Sequence, residues 1–166
     1  MINSKFNTIN LISISILFIV LLVLSVLVAT RDFSGSSDTI IYKDFFDNVE
    51  FYNNSRFEIL FKYLTLGVRF ITDKYVVYFG FIFLLFTSLY VSFYYSILGE
   101  DRKITHLFIF FGLMLSSSWY VVATLNGLRQ GFSLPLLYFS LLFFSKRKFI
   151  ISIIFFLVSF GFHYSV

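Results

Sequence analysis

The sequence has no cysteine, a single proline and only two histidines among its 166 residues. Without cysteine there are no disulfides and no thiolate metal sites. Two histidines with no HExxH-like pairing leave a metal centre without an evident ligand set. No glycine-rich phosphate loop or dinucleotide fingerprint is present, so nucleotide chemistry has no visible seat and no cofactor is expected. Charge is scarce as well: Asp, Glu, Lys and Arg make up 13% of the chain, against roughly a quarter in soluble domains. The formal charge of +4 is spread over separate loops. With no continuous basic stripe, nucleic acid is not an expected partner.

What is present is apolar. Hydrophobic residues reach 58% and the mean hydropathy is +0.87. Several runs approach the roughly 20 residues that a bilayer crossing needs. The expected fold is therefore all-α, a polytopic transmembrane helix bundle of about five spans with one or two amphipathic interfacial helices. It forms a single membrane domain over 1–166. The chain stops inside a hydrophobic run, so this domain is expected to be incomplete at its C-terminus.

The expected spans run from Asn10 to Ala29, Tyr75 to Leu98, Ile104 to Thr124, Gly131 to Phe144 and Phe149 to Val166. The first could be a cleaved signal peptide, but its uncharged run is longer than the roughly 7–15 residues of a signal core and reads as a retained anchor. Between it and the second span lie two amphipathic segments. After a flexible Gly35-Ser36-Ser37 lead-in, Asp38 suits a helix N-cap. Ile41, Tyr42, Phe45, Phe46, Val49 and Tyr52 then recur at helical spacing, opposite Lys43, Asp44, Asp47 and Asn48. From Phe57 to Asp73, the residues Glu58, Lys62, Thr65, Arg69 and Thr72 form one polar stripe on an apolar helix. That stripe either faces water at the interface or lines a cavity in the bundle; an interfacial or shallowly re-entrant placement is favoured. Pro135 is expected to kink the fourth span.

Positive charge in short loops sets orientation. The Lys146-Arg147-Lys148 knot and Arg102-Lys103 both point to the inner side, and counting back puts Lys5 and the N-terminus inside too. Arg31, Asp38, Glu58, Arg129 and His163 then gather on the outer face. If 57–73 crosses fully, the N-terminus flips, yet Arg129 and His163 remain outer.

Each of these residues has an ordinary reading and a functional one. Arg129 is either a snorkelling helix-end arginine or an anion site completed by Asn126 and Gln130. His163 is either hydrogen-bonded at a helix end or a general base. Glu58 and Asp38 also suit helix starts, and Arg31 flanks a span. His106 reads as an interfacial residue.

The order of these residues carries a resemblance. Arg31, Ser37-Asp38-Thr39 followed by Tyr42, Phe57-Glu58, Asn126-x-x-Arg129-Gln130 and Phe162-His163-Tyr164-Ser165 together resemble the EpsG/Wzy-type family of bacterial polysaccharide polymerases. The likeness covers nearly the whole chain from Arg31 onward. It departs at Ile59, where a proline often follows the family's glutamate. The resemblance implies a GT-C-like glycosyltransferase, free of metal and nucleotide, that is multi-pass in the bacterial inner membrane with a cytoplasmic N-terminus. It implies joining of repeat units carried on undecaprenyl pyrophosphate at the outer face, for an O-antigen, capsule or exopolysaccharide. A chain-length regulator and a flippase of the same pathway are the implied partners, beside the lipid-linked oligosaccharide and the bilayer.

In that setting Arg129 and Arg31 would meet the pyrophosphate, with Gln130, Asn126 and Tyr42 completing the substrate site. His163 would be the catalytic base, with Glu58 and Asp38 behind it. The competing reading is a non-enzymatic membrane partner or a transport and export component of such a system, or an inactive truncated remnant. An acyltransferase would want its histidine beside a carboxylate in a tight motif that is absent.

Overall fold

A computed structural model of the chain describes residues 8–31, 37–50, 57–98 and 104–163. Eight α-helices and no strand occupy these residues: α1 (Thr8–Ala29), α2 (Ser37–Asp47), α3 (Ile59–Ile71), α4 (Tyr75–Ile97), α5 (Ile104–Ser116), α6 (Ser118–Leu125), α7 (Leu128–Ser145) and α8 (Phe149–Phe162). Lys5, Tyr52, the 32–36 lead-in, the charged loop at 99–103 and Tyr164-Ser165 lie outside the described residues.

α4 is the central post. α1 packs along one side of it and α7 along another, while α8 folds back against α7. The α7/α8 hairpin is tied by polar side chains in an apolar setting, which is how helices associate where no hydrophobic drive separates protein from surroundings. Ser140 Oγ donates to the Ser152 carbonyl at 2.9 Å, and Ser152 Oγ returns the bond to the Ser140 carbonyl at 2.8 Å. Ser159 Oγ donates to the Ser133 carbonyl at 2.7 Å. The turn between the two helices places Arg147 at φ 57°. The Arg147 amide bonds the Phe144 carbonyl and the Lys148 amide bonds the Phe143 carbonyl, which satisfies the last carbonyls of α7.

The interior is built from aromatic rings. Phe45, Phe46, Phe61, Tyr78, Phe79, Phe86 and Phe132 are all buried. Phe46 stacks on Tyr78 at 4.5 Å and Phe45 on Phe57 at 3.9 Å. These contacts seat α2 across α3 and α4. α2 buries Thr39, Tyr42, Phe45 and Phe46, and Val49 just beyond it is buried too; of the face expected from helical spacing, Ile41 is half-buried. Asp38 falls in the first turn of α2, because the helix begins one residue earlier, at Ser37.

The structure bears on three sequence expectations. First, the 57–73 stripe is divided: Lys62, Arg69 and Thr72 are half-buried, and its other two members point inward. Glu58 and Thr65 are buried, whereas Phe70 is 94% exposed. Thr65 Oγ1 lies 3.2 Å from the Tyr78 hydroxyl, so its partner is inside the bundle.

Second, the expected span from Ile104 to Thr124 is two helices meeting at a 75° bend. Ser117 leaves the helical region at ψ 117°, and its Oγ accepts the Tyr120 amide, capping α6. The Ser116-Ser117-Ser118 triplet supplies that cap, and an apolar count passes over it.

Third, the all-α class is as expected, and about five spans were expected with it. Among the described residues α4 is the one unbroken helix long and apolar enough to cross a membrane; the bent α5–α6 pair would make a second. At 14 residues, α8 reaches only about 21 Å, short of a hydrocarbon core of about 30 Å. The outward faces are nonetheless apolar. α8 exposes Ile150, Ile153, Ile154 and Leu157, and α1 exposes Ile16, Phe18, Ile19, Val23 and Leu27. So large an apolar exterior fits a lipid or protein surround rather than water.

Candidate functional site

Four chain segments converge at one end of the α7/α8 hairpin: the start of α2, the start of α3, the α6–α7 junction and the end of α8. The antiparallel hairpin puts Arg129, in the first turn of α7, on the same level as His163, which caps α8. α3 packs on α8 and brings Glu58, its N-cap residue, between them.

Glu58 is the hub. Its Oε2 accepts from Arg129 Nη1 at 2.8 Å, and its Oε1 lies 3.0 Å from His163 Nδ1. One carboxylate thus holds two side chains that are 34 residues apart in the chain (163 − 129 = 34). The Glu58 side chain is 5% exposed, Arg129 28% and His163 15%. Burial opposes ionisation of Glu58. The Arg129 guanidinium, a backbone amide and His163 act against it, and their hydrogen bonds together hold the carboxyl below its usual value. An ionised carboxylate can only accept, and the role of His163 Nδ1 in this contact depends on the ring's tautomer.

Arg129 is held on further sides. Its guanidinium lies over the Phe57 ring at 5.2 Å and hydrogen bonds the Tyr42 hydroxyl. Stacking on one face and bonding at the edge fix the plane of the fork, which is how guanidinium presents paired donors to oxyanions.

These residues border a cavity of about 310 Å³, lined by Asp38, Ile41, Tyr42, Phe57, Asn126, Gly127, Arg129, Gln130 and His163. Within it Asp38 and Gln130 are exposed, while Tyr42 is buried. Gly127, the N-cap of α7, also lines the cavity and makes no side-chain cap bond, and a helix N-terminus favours anions. The chemistry on offer is an oxyanion cradle beside an imidazole.

Of the residues singled out in the sequence, the structure brings together Asp38, Tyr42, Asn126, Arg129, Gln130 and His163 around the cavity, with Glu58 directly behind them. It places Arg31 elsewhere. Arg31 Nη1 donates to the Val28 carbonyl at 3.0 Å and Nη2 to Thr39 Oγ1 at 3.2 Å, and its guanidinium sits over Phe79. Arg31 thereby caps α1 and joins it to α2 and α4. Phe57, Ile41 and Gly127 were not anticipated as site residues. The one available signal was that Phe57 directly precedes Glu58. His106 lies outside the cavity lining.

A model of the EpsG family matches residues 14–166. No curated protein gives a match, and no solved structure does. The matched stretch includes every residue of the site.

Proposed function

Because the chain belongs to the EpsG family, an EpsG/Wzy-type family of polysaccharide polymerases, we propose that it polymerises lipid-linked oligosaccharide repeat units. In this reading it is a polytopic, GT-C-like glycosyltransferase, multi-pass in the bacterial inner membrane. The repeat units ride on undecaprenyl pyrophosphate at the outer face. The observation that carries the reading is the placement of Arg129 and His163 on one cavity wall, braced by a single buried carboxylate.

The reaction is a displacement at the anomeric carbon. A sugar hydroxyl oxygen of the acceptor attacks that carbon, the bond from it to the pyrophosphate oxygen breaks, and undecaprenyl pyrophosphate leaves with the electron pair. The hydroxyl proton passes to His163 Nε2. Charge grows on the leaving oxygen as the bond breaks, and Arg129 stabilises it most at that point. Gln130, Asn126 and Tyr42 border the same space and offer hydrogen bonds to sugar hydroxyls. Attack opposite to departure inverts the anomeric centre.

The reading also carries a placement in the membrane, taken from the charged loops. The site and the Lys146-Arg147-Lys148 knot occupy opposite ends of α7. Its 18 residues span about 27 Å. A basic knot inside and a site outside suit a substrate presented on the outer leaflet. Counting back from the basic loops, the same reading puts the N-terminus on the cytoplasmic side. A flippase that delivers the lipid-linked unit and a regulator that sets chain length are the partners proposed with it.

The test is polysaccharide length in cells whose own polymerase has been deleted and which carry either the native protein or a variant. Arg129→Lys keeps a cation for Glu58 but loses the fork; His163→Gln keeps a donor for Glu58 but removes the base. Each is expected to insert normally and to cut polymer formation by at least about 100-fold. Native chain length in both variants would point to a non-enzymatic membrane role instead.

A further inference from the structure

The mechanism above uses Arg129 and His163 and leaves Glu58 without a chemical step, although Glu58 is the most buried charged residue of the site, at 4% exposure. Its two oxygens are both engaged. Oε2 is taken by Arg129 at 2.8 Å, and this pairing turns Oε1 toward His163 Nδ1 at 3.0 Å. Glu58 is not among the residues that line the cavity. A carboxylate placed this way is a poor candidate for removing a proton from a substrate, because both oxygens already accept and neither borders the space where substrate would sit.

Histidine, by contrast, needs a decision made for it. A neutral imidazole carries one N–H, and which nitrogen keeps the lone pair is set by the bond that the other nitrogen makes. In water the Nε2–H form is the preferred one, and it would leave the lone pair on Nδ1, against Glu58. Two negative centres would then face each other at hydrogen-bond distance with no proton between them. The ionised carboxylate forbids that arrangement and selects the Nδ1–H form. The backbone supports the choice. His163 lies one residue beyond α8, its amide still bonded to the Ser159 carbonyl at 3.2 Å. The ring is therefore carried on the end of a helix rather than on a free tail. Phe162 stacks on Phe132 at 5.3 Å and steadies the same turn.

We propose that Glu58 is a positioning residue: clamped through Oε2 by Arg129, it accepts from His163 Nδ1–H through Oε1 and so keeps the basic nitrogen of His163 at Nε2. The assignment rests on the reading of His163 as the base, and it moves Glu58 out of the catalytic set in which the sequence placed it. It also links the two halves of the site. The arginine that meets the anion orients the carboxylate that orients the base, so a change at Arg129 reaches His163 through Glu58.

The experiment reads the tautomer directly, without substrate. The intact chain is prepared in detergent micelles with ¹⁵N-labelled histidine, and ring-nitrogen resonances are recorded at a pH where the ring is neutral. With only two histidines in the chain, loss of one set of resonances in His106→Gln assigns the other to His163. The expected result is an Nδ1–H tautomer at His163 in the native chain, converting to Nε2–H in Glu58→Ala and in the size-matched Glu58→Met. An Nε2–H tautomer in the native chain overturns the proposal, and so does an unchanged Nδ1–H tautomer in a folded Glu58 variant. If neither variant folds, the native spectrum still decides. Polymer length in Arg129→Lys and His163→Gln reports on the catalytic reading and the ring resonances on Glu58, so failure of one is distinguishable from failure of the other.

Discussion

Glu58 Oε1 and His163 Nδ1 lie 3.0 Å apart across a separation of 105 residues. The contact exists because α3 and α8 pack closely enough for the first turn of one to meet the last turn of the other. At Gly161, two residues before the histidine, an added Cβ would stand 2.6 Å from Leu60 Cδ1 and 2.8 Å from Leu60 Cγ. The approach of the two helices thus depends on a missing side chain.

Gly161→Ala should accordingly separate α3 from α8 at the site. The expected outcome is a loss of about 1–3 kcal/mol in stability, as for other overpacked positions, with shorter polysaccharide. Gly131→Ala is expected to be at least as harmful, since its Cβ would fall 1.8 Å from Cε2 of the fully buried Phe86 ring. Gly67 has open space around its Cβ position, and Gly67→Ala should gain about 0.5–1 kcal/mol from helix propensity. Thermal unfolding of the three variants in detergent tests the order.

Removing Arg129 leaves a carboxylate buried without its strongest partner. Arg129→Met is expected to lose about 3–5 kcal/mol, whereas the double variant Glu58→Met with Arg129→Met should recover a large part of that loss. A double-mutant cycle on unfolding free energies measures this. If the double variant is as unstable as the sum of the two single variants, the pair is not coupled.

The depressed ionisation of Glu58 makes stability depend on acid in a defined direction. Its folded value lies below the usual 4.5. Its contribution is therefore complete above that usual value and is lost as pH falls through the lower, folded one. Melting temperature should decline on acidification below about pH 4.5 more steeply in the native chain than in Glu58→Met. Parallel curves would show that Glu58 does not contribute.

Arg147 occupies the left-handed region at φ 57°, where a side chain is strained by about 1–2 kcal/mol. Arg147→Gly should raise stability by about 1 kcal/mol. Lys146 and Lys148 remain in that variant as the orienting charge. Unfolding in detergent checks the gain, and a cysteine-accessibility map of the same variant checks that the hairpin keeps its orientation.

Much of the fold was legible as runs of apolar residues. The bounds of α4, α7 and α8 follow their apolar stretches and the charges that interrupt them, because an apolar helix ends where a charge must reach water. α2 was legible from its periodicity, since the same spacing that groups Tyr42, Phe45, Phe46 and Val49 also buries them. The break at Ser117 was not. A serine inside an apolar run can bond back to its own helix, as Ser88 does to the Leu84 carbonyl at 2.7 Å. It can equally cap a new helix, as Ser117 does, and only the surrounding packing selects one. The bend between α5 and α6 was hidden for the same reason: composition measures apolarity and does not register a bend.

For the site, the sequence by itself determined which residue types were available and on which ends of helices they stood. Arg129 before one apolar helix and His163 after the next must come level when two helices of similar length fold back on each other. Covalent order and helix geometry require it. Only the tertiary structure decided who bonds whom. Glu58 belongs to a stripe that could have faced water. It turns inward because the packing of α3 on α8 brings it between Arg129 and His163, and their hydrogen bonds outweigh the burial of its charge. Arg31 had the same credentials as Arg129 in the sequence, but it ends beside α1 carbonyls and Thr39, away from the cavity. A charge near a helix end takes the closest partner that burial leaves unsatisfied, and that partner is set by which helices touch.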